Sequence, residues 1–184
     1  RTGRVMLTGS FTSDVFRCDS SDGSPDLGFA AGSTVRSREW IVQGSTVTTN
    51  LRLRSLSPGS PWNLQVTGYE CVKGVQVEDS DASGGLTVYP ISSRDVSNNS
   101  NWVFDAPWSV WVGSGGTNFH TAGNWTPVGV PGTAARLLID VTNYLSVTSA
   151  VTVKEITIGG DVPAQMMATA PLTVSEDLTV RTNG

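Results

Sequence analysis

The segments Leu51-Arg52-Leu53, Leu64-Gln65-Val66 and Val75-Gln76-Val77 decide the fold, because in each of them two apolar residues flank one inner position. The same pattern occurs before them at Trp40-Ile41-Val42 and after them at Leu86-Thr87-Val88, and the inner positions step by 11, 13, 11 and 11 residues. Taken two at a time, position 41 corresponds to 65, 52 to 76 and 65 to 87, which is a repeat of 22 to 24 residues.

The second half of the chain carries the same pattern. Its segments are Leu137-Leu138-Ile139, Leu145-Ser146-Val147, Ile156-Thr157-Ile158, Leu172-Thr173-Val174 and Leu178-Thr179-Val180. Position 138 corresponds to 157 and 157 to 179, a repeat of 19 to 22 residues. A unit of this length is too small to bury its own apolar face, so the sequence predicts an all-β fold in which successive units stack as a β-solenoid.

The alternative fold is a pair of small β-sandwich domains. Its strands would pair antiparallel through two-residue hairpins, for which Asn-Gly and Asp-Gly are the strongest signals. Such signals are few in this chain, at Asp22-Gly23 and Asn183-Gly184.

Composition narrows the class of function. Only 15% of the 184 residues are charged, where about a quarter is usual, and the net charge is −4. Arg36 and Arg38, with Arg52 and Arg54, are the nearest approach to a basic cluster, and they alternate with strand residues. These features disfavour nucleic-acid binding, which relies on phosphate neutralisation. No apolar run approaches the roughly 20 residues of a membrane span, so none is expected.

Two longer stretches resemble a known family. The first is Asp79-Ser80-Asp81-Ala82-Ser83-Gly84-Gly85 followed by Asn98-Asn99-Ser100-Asn101-Trp102-Val103-Phe104; it is similar to the closing coil of right-handed parallel β-helix regions in large bacterial surface and secreted proteins. The second, from Trp111-Val112-Gly113 through Gly123-Asn124-Trp125 to Val130-Pro131-Gly132, resembles the opening of such regions, although Arg136 and Leu137 stand where an acidic residue is expected. The resemblance, over about residues 33–140, implies a right-handed parallel β-helix in a stalk, adhesin, filament or carbohydrate-active module.

These patterns predict a solenoid block with an aromatic end over residues 1–104, a Trp/Gly/Asn-rich connection over 105–131, and the start of a second block over 132–184. A block end that precedes a block start is expected either in an excerpt of a tandem array or in a subunit that docks head-to-tail on the next copy. We therefore predict a structural module of an extracellular or cell-surface bacterial filament, stalk or adhesin, with copies of itself as partner. The expected assembly interface is Val5 and Leu7 against Leu178 and Val180.

Aromatic residues are concentrated near the predicted connection. Trp108, Trp111 and Trp125 have two interpretations. One is a hydrophobic plug at the end of a strand stack, because aromatic side chains bury a large area. The other is an exposed platform for surface glycans, which would make the chain a carbohydrate-binding or polysaccharide-degrading module.

The sequence contains few residues suited to catalysis or metal binding. His120 is the only histidine, and it lies in a Gly-rich stretch where a surface position is expected. Asp79 and Asp81 could bond turn backbone, cleave a glycoside as paired carboxylates, or hold calcium with nearby carbonyls. Asn98 and Asn124 begin formal glycosylation triplets but serve equally well as turn formers. We predict no enzyme activity, no metal and no cofactor.

The two cysteines, Cys18 and Cys71, are 53 positions apart. They are either buried thiols or a disulfide of an oxidising compartment. If the chain is exported, the two are predicted to be bridged.

Overall fold

The computed structural model describes residues 3–20, 26–45, 51–106, 108–159 and 163–181. The chain divides into two compact units, Arg1–Ala106 and Pro107–Gly184. The first unit ends two residues after the predicted first block, and the stretch predicted as a connection, 105–131, supplies strands to the second unit.

The first unit consists of two parallel sheets. Its strands are β1 (Arg4–Leu7), β2 (Phe11–Asp19), β3 (Asp26–Phe29), β4 (Thr34–Gln43), β5 (Leu51–Ser55), β6 (Trp62–Lys73), β7 (Val75–Glu78), β8 (Ser80–Asp81) and β9 (Arg94–Ser97). Odd-numbered strands form one sheet, in the order β1-β3-β5-β7-β9, and even-numbered strands form the other, β2-β4-β6-β8. The chain therefore visits the two sheets alternately, and each strand lies beside the one two places earlier.

The second unit contains three sheets. Its elements are β10 (Trp108–Trp111), a 3₁₀ turn (Ala122–Asn124), β11 (Trp125–Thr126), β12 (Arg136–Ile139), β13 (Leu145–Val147), β14 (Val151–Val153), β15 (Glu155–Ile158), β16 (Met166–Ala168), β17 (Leu172–Val174) and β18 (Leu178–Val180). The sheets are β11-β10-β12-β15-β18, β13-β16 and β14-β17. Pairing is parallel except between β10 and β11.

The all-β prediction is confirmed, and the sheets are largely parallel. Every predicted three-residue segment lies in a strand except Leu86-Thr87-Val88, of which only Val88 forms an isolated bridge, to Trp102. The part of the chain described contains no α-helix, and hence no helix long and apolar enough to cross a membrane.

The predicted repeat is correct at three correspondences and wrong at two. Positions 52 and 76, 138 and 157, and 157 and 179 are aligned in neighbouring strands. In contrast, position 41 does not correspond to 65, because Ile41 aligns with Cys71. Position 65 has no strand partner at 87, because Thr87 lies outside the strands. The first difference arises because β4 and β6 are long and their register shifts at a bulge between Ser37 and Glu39, so one apolar triplet marks only part of each strand.

Aligned inner residues form continuous columns in each unit. In the first unit, Leu27 aligns with Leu53 and Leu53 with Val77, and all three are buried. In the second unit, Leu137 aligns with Ile156, and both have no exposed surface. Parallel pairing without sideways shift puts like side chains above one another, and this stacking builds both cores.

Candidate assembly edges

The first edge strands, β1 and β2, are paired on one side only within the described part of the chain. β1 pairs with β3, and β2 pairs with β4. Val5 aligns with buried Leu27, yet 51% of Val5 is exposed. Leu7 aligns with buried Phe29 and is itself half-buried. These two residues therefore continue the inner columns to a position where no further layer covers them.

Among the described residues of the second unit, the last strand, β18, forms a matching edge. Leu178 aligns with Ile156, and Val180 aligns with Ile158, both of which are buried. Nevertheless Leu178 is 56% exposed and Val180 66% exposed. The four residues predicted to form an assembly interface thus lie on edge strands and continue core columns, with three of them strongly exposed.

Backbone directions along these edges follow from the hydrogen bonds at the strand ends. In β1, the carbonyl groups of Gly3 and Leu7 accept from Asp26 and Ala30 of the neighbouring segment, so alternate residues Gly3, Val5 and Leu7 face β3. In β18, the Asp177 carbonyl accepts from Ile156 and the Arg181 N–H donates to Ile158, so Asp177, Thr179 and Arg181 face β15. The intervening residues, Arg4 and Met6 in β1 and Leu178 and Val180 in β18, direct their backbone groups to the uncovered side.

At the opposite end of the first unit β9 is the last strand of its sheet, and asparagine side chains bond backbone groups of β7 and β8. The Asn99 side chain accepts from the Ser80 N–H at 3.0 Å and donates to the Val77 carbonyl at 2.8 Å. The Asn101 amide donates to the Ala82 carbonyl at 3.0 Å, and its φ of 61° lies in the left-handed region that asparagine tolerates. Asn99 and Asn101 thus bond Ser80 and Ala82 at the end of the even-numbered sheet, where a further strand would otherwise bond.

Aromatic rings cover the end of the second unit that is formed by β10 and β11. Trp111 and Trp125 have no exposed surface, and their rings meet edge to face at 5.0 Å. The Trp125 Nε1–H donates to the Phe119 carbonyl at 2.8 Å. The glycan-platform interpretation of Trp108, Trp111 and Trp125 is therefore wrong, because two of the rings are inside the core and Trp108 is half-buried. The interpretation as a hydrophobic plug agrees with this burial.

Asp79 and Asp81 bond turn backbone, as one of their three interpretations predicts. Asp79 is buried, and its two carboxylate oxygens accept from the Gly59 N–H and from the Asn98 amide, both at 2.8 Å. Asp81 accepts from the Ser83 N–H at 2.9 Å, and hydrogen bonds from Ser83 lower the pKa of Asp81. Among the described residues no cluster of three or more His, Cys, Asp or Glu is arranged to hold a metal ion.

The remaining polar candidates are also part of loops. His120 is exposed, and its backbone N–H donates to the Asn118 side chain at 2.9 Å. Asn124 is fully buried, accepting from the Gly115 N–H and donating to the Asn118 carbonyl. Asn98 donates to Asp79. Both candidate glycosylation asparagines thus act as turn formers.

The predicted disulfide is not formed, and both cysteines are thiols. Cys18 in β2 aligns with Val42 in β4, and Val42 aligns with Val72 in β6. Cys18 and Cys71 are therefore two strands apart, about 9.6 Å at the usual strand spacing, whereas a disulfide needs Cα atoms within about 7 Å. Burial raises the pKa of the Cys18 thiol, and the Asp19 carboxylate raises it further.

We expect thiol titration of the unfolded, unreduced protein to give two thiols per chain, because the register separates the sulfur atoms. The same titration on folded protein should be slow at Cys71, which is 5% exposed. Fewer than two thiols after unfolding would contradict this register of β2, β4 and β6.

One charged pair was not expected from the sequence. The Arg136 guanidinium is buried and contacts the Glu155 carboxylate of the next strand, with which Arg136 is aligned. Burial raises the pKa of Glu155; Arg136 opposes this shift, and the carboxylates of Asp177 and Glu176 add to it. Lys154 lies 3.2 Å from Glu176. Two features of the sequence pointed to this pair: a charged residue at position 136, and the predicted correspondence of 138 with 157, which places Glu155 opposite Arg136.

Comparison of the chain with protein-family models, with curated proteins and with solved structures gives no match.

Proposed function

We propose that the chain is a structural module of an extracellular bacterial filament, stalk or adhesin, and that copies join head-to-tail through β1 and β18. The observation that carries the proposal is the difference between the ends of each unit. At one end, the chain's own asparagine or tryptophan side chains bond or cover groups of the outer strands, whereas the other end presents exposed apolar residues aligned with the core.

An uncovered edge leaves apolar side chains in water and a strand without a neighbour. Val5, Leu178 and Val180 have about half or more of their surface in water, although their column neighbours are fully packed. Burying such side chains is worth roughly 25 cal/mol for each Å² of apolar surface. An uncovered strand edge is also a template for pairing with another chain. Contact with a second copy would bury the exposed apolar side chains and pair the strand edge at the same time.

We also propose that the fold is a right-handed β-solenoid. Two features support this architecture over paired sandwiches: most strand pairs are parallel, and like residues align in columns over successive layers. Connections between parallel strands of one sheet are right-handed in nearly all proteins. The low proportion of charged residues and the resemblance to bacterial surface proteins support an extracellular location.

Proline at Met6 is expected to abolish fibre formation and leave the module folded. The Met6 N–H faces the uncovered side of β1, so proline removes a donor that a neighbouring copy would use and adds bulk there, while the ladder to β3 stays intact. Electron microscopy and sedimentation measure the fibres, and circular dichroism checks the fold.

Met6→Ala is the matched control, since it shortens the same exposed side chain but keeps the N–H, and it should form fibres as the wild type does. A wild-type chain that stays monomeric at high concentration would overturn the proposed function. Normal fibres from Met6→Pro would show that β1 does not pair between copies.

A further inference from the structure

We propose that copies join in one defined register, in which Leu178 lies opposite Val5 of the next copy, Val180 opposite Leu7, and Asp177 opposite Arg4. This inference rests on the proposed head-to-tail assembly and specifies its contact. Three independent properties of the two edges select the register: the direction of side chains, the direction of backbone groups, and charge.

The direction of the side chains allows only those registers of β18 against β1 that differ from the proposed one by an even number of residues. Val5 and Leu7 align with buried Leu27 and Phe29, and Leu178 and Val180 align with buried Ile156 and Ile158. Because successive side chains in a strand point to opposite faces, a shift of one residue would turn one apolar set outwards. Only registers that place apolar residues of β18 opposite odd-numbered residues of β1 keep the inner columns continuous.

The direction of the backbone groups also requires that Leu178 and Val180 lie opposite odd-numbered residues of β1. The uncovered groups belong to Leu178 and Val180 on β18 and to the even-numbered residues Arg4, Met6 and Thr8 beside β1. In the observed ladder Ile156 is aligned with Leu178 and donates to the Asp177 carbonyl, one residue before its aligned partner. Repeating this geometry, Leu178 donates to Arg4 and accepts from Met6, while Val180 donates to Met6 and accepts from Thr8. The outward-facing backbone groups of Leu178, Val180 and Met6 then all have partners.

Charge separates the proposed register from those shifted by two residues. Asp177 is exposed and adjoins Glu155, so two carboxylates are neighbours on the outer face of the edge. On the other edge, the Arg4 side chain is 46% exposed and lies 4.0 Å from Asp26, whose carboxylate is already bound by Arg54 at 2.5 and 3.0 Å. The proposed register places Arg4 directly opposite Asp177, about 4.8 Å away along the ladder.

The shifted registers lose contacts on both faces. A shift in one direction places Val180 opposite Gly9 and Asp177 opposite Met6. A shift in the other places Leu178 opposite Gly3. Each therefore sets an apolar side chain of β18 against a glycine, and neither forms the pair between Asp177 and Arg4.

Cysteine cross-linking between copies tests the register directly. In the proposed register Thr179 is opposite Met6 on the outer face, so the double variant Thr179→Cys with Met6→Cys should oxidise to a ladder of covalent multimers. The control, Thr179→Cys with Arg4→Cys, separates the sulfur-bearing positions by two residues along the strand and puts their Cα atoms beyond the disulfide limit of about 7 Å. The unaltered chain, with its own two thiols, gives the background.

A charge exchange tests the ionic contact. Asp177→Arg and Arg4→Asp each place like charges opposite one another and should raise the critical concentration for fibres about tenfold, and the double variant should restore it to within about threefold of wild type. Fibres that cross-link better in the control pair, or a double variant as weak as the singles, would overturn the register while leaving head-to-tail assembly standing. Absence of fibres from the wild-type chain would instead overturn both.

Discussion

Replacing Trp40 with alanine is expected to destabilise the first unit by about 4 kcal/mol, the middle of the range for deleting a large buried aromatic side chain. Trp40 has no exposed surface. Its ring stacks on Phe16 at 4.2 Å and lies 6.4 Å from the rings of both Phe29 and Trp62. Removing it leaves a cavity among rings that belong to different layers, so they cannot close over it together. Urea unfolding followed by circular dichroism measures the loss.

Trp40→Phe is the first control because it keeps an aromatic face for Phe16, and it should cost less than half as much as alanine. Met6→Ala is the second, since Met6 is 58% exposed and its truncation should change the unfolding free energy by less than about 0.5 kcal/mol. A Trp40→Ala loss below 1 kcal/mol would contradict the packing of the first core.

Replacing Arg136 with methionine is expected to destabilise the second unit by about 3 kcal/mol at neutral pH. The substitution keeps an unbranched chain but leaves the Glu155 carboxylate, 16% exposed, without its cation. Breaking a buried pair by removing one partner is strongly destabilising because the other charge remains away from water.

The pH dependence of this variant has a definite sign. Burial already raises the pKa of Glu155 in the folded protein, and loss of Arg136 removes the main opposing influence. A carboxyl group with a raised folded pKa favours folding when protonated, and this contribution is lost as the pH rises through that pKa. The deficit of Arg136→Met should therefore shrink as the pH falls towards 4.5, the ordinary value for glutamate.

Two variants complete the test of the pair. Arg136→Met with Glu155→Met removes both charges and should recover most of the lost stability. Lys154→Met breaks only an exposed pair with Glu176 and should cost no more than about 0.5 kcal/mol. A double variant no more stable than Arg136→Met alone would exclude the uncompensated carboxylate as the cause.

Strand positions were largely predictable because apolar residues flanking one position report burial on one face of a strand. The segments around positions 52, 76, 138 and 157 show this clearly, and their alignments are those that the predicted repeat gives. The register of β4 with β6 was not predictable, because the bulge near Ser37 lies between polar residues that carry no periodic signal.

Burial of individual side chains was harder to infer than strand position. Tryptophan suits both a core and a sugar-binding surface, so Trp111 and Trp125 could be assigned only once their surroundings were known. Similarly, Cys18 and Cys71 appeared well spaced for a disulfide because residue counts do not give the number of strands between them. The correspondence of 138 with 157 already places Glu155 opposite Arg136, but the burial of Arg136 could not be inferred from the sequence.

The asparagine side chains at the end of the first unit have a consequence for the geometry of the proposed assembly. A strand edge already bonded by Asn99 and Asn101 offers its own chain, rather than a neighbour, as the hydrogen-bonding partner. In the proposed assembly, copies meet only through two chemically different sites, on β1 and β18, so each copy has a valence of two. Contacts between two unlike sites that do not close into a ring produce an unbranched polymer with a direction. Such a polymer elongates without thickening, and its two tips expose different strands to the next arrival.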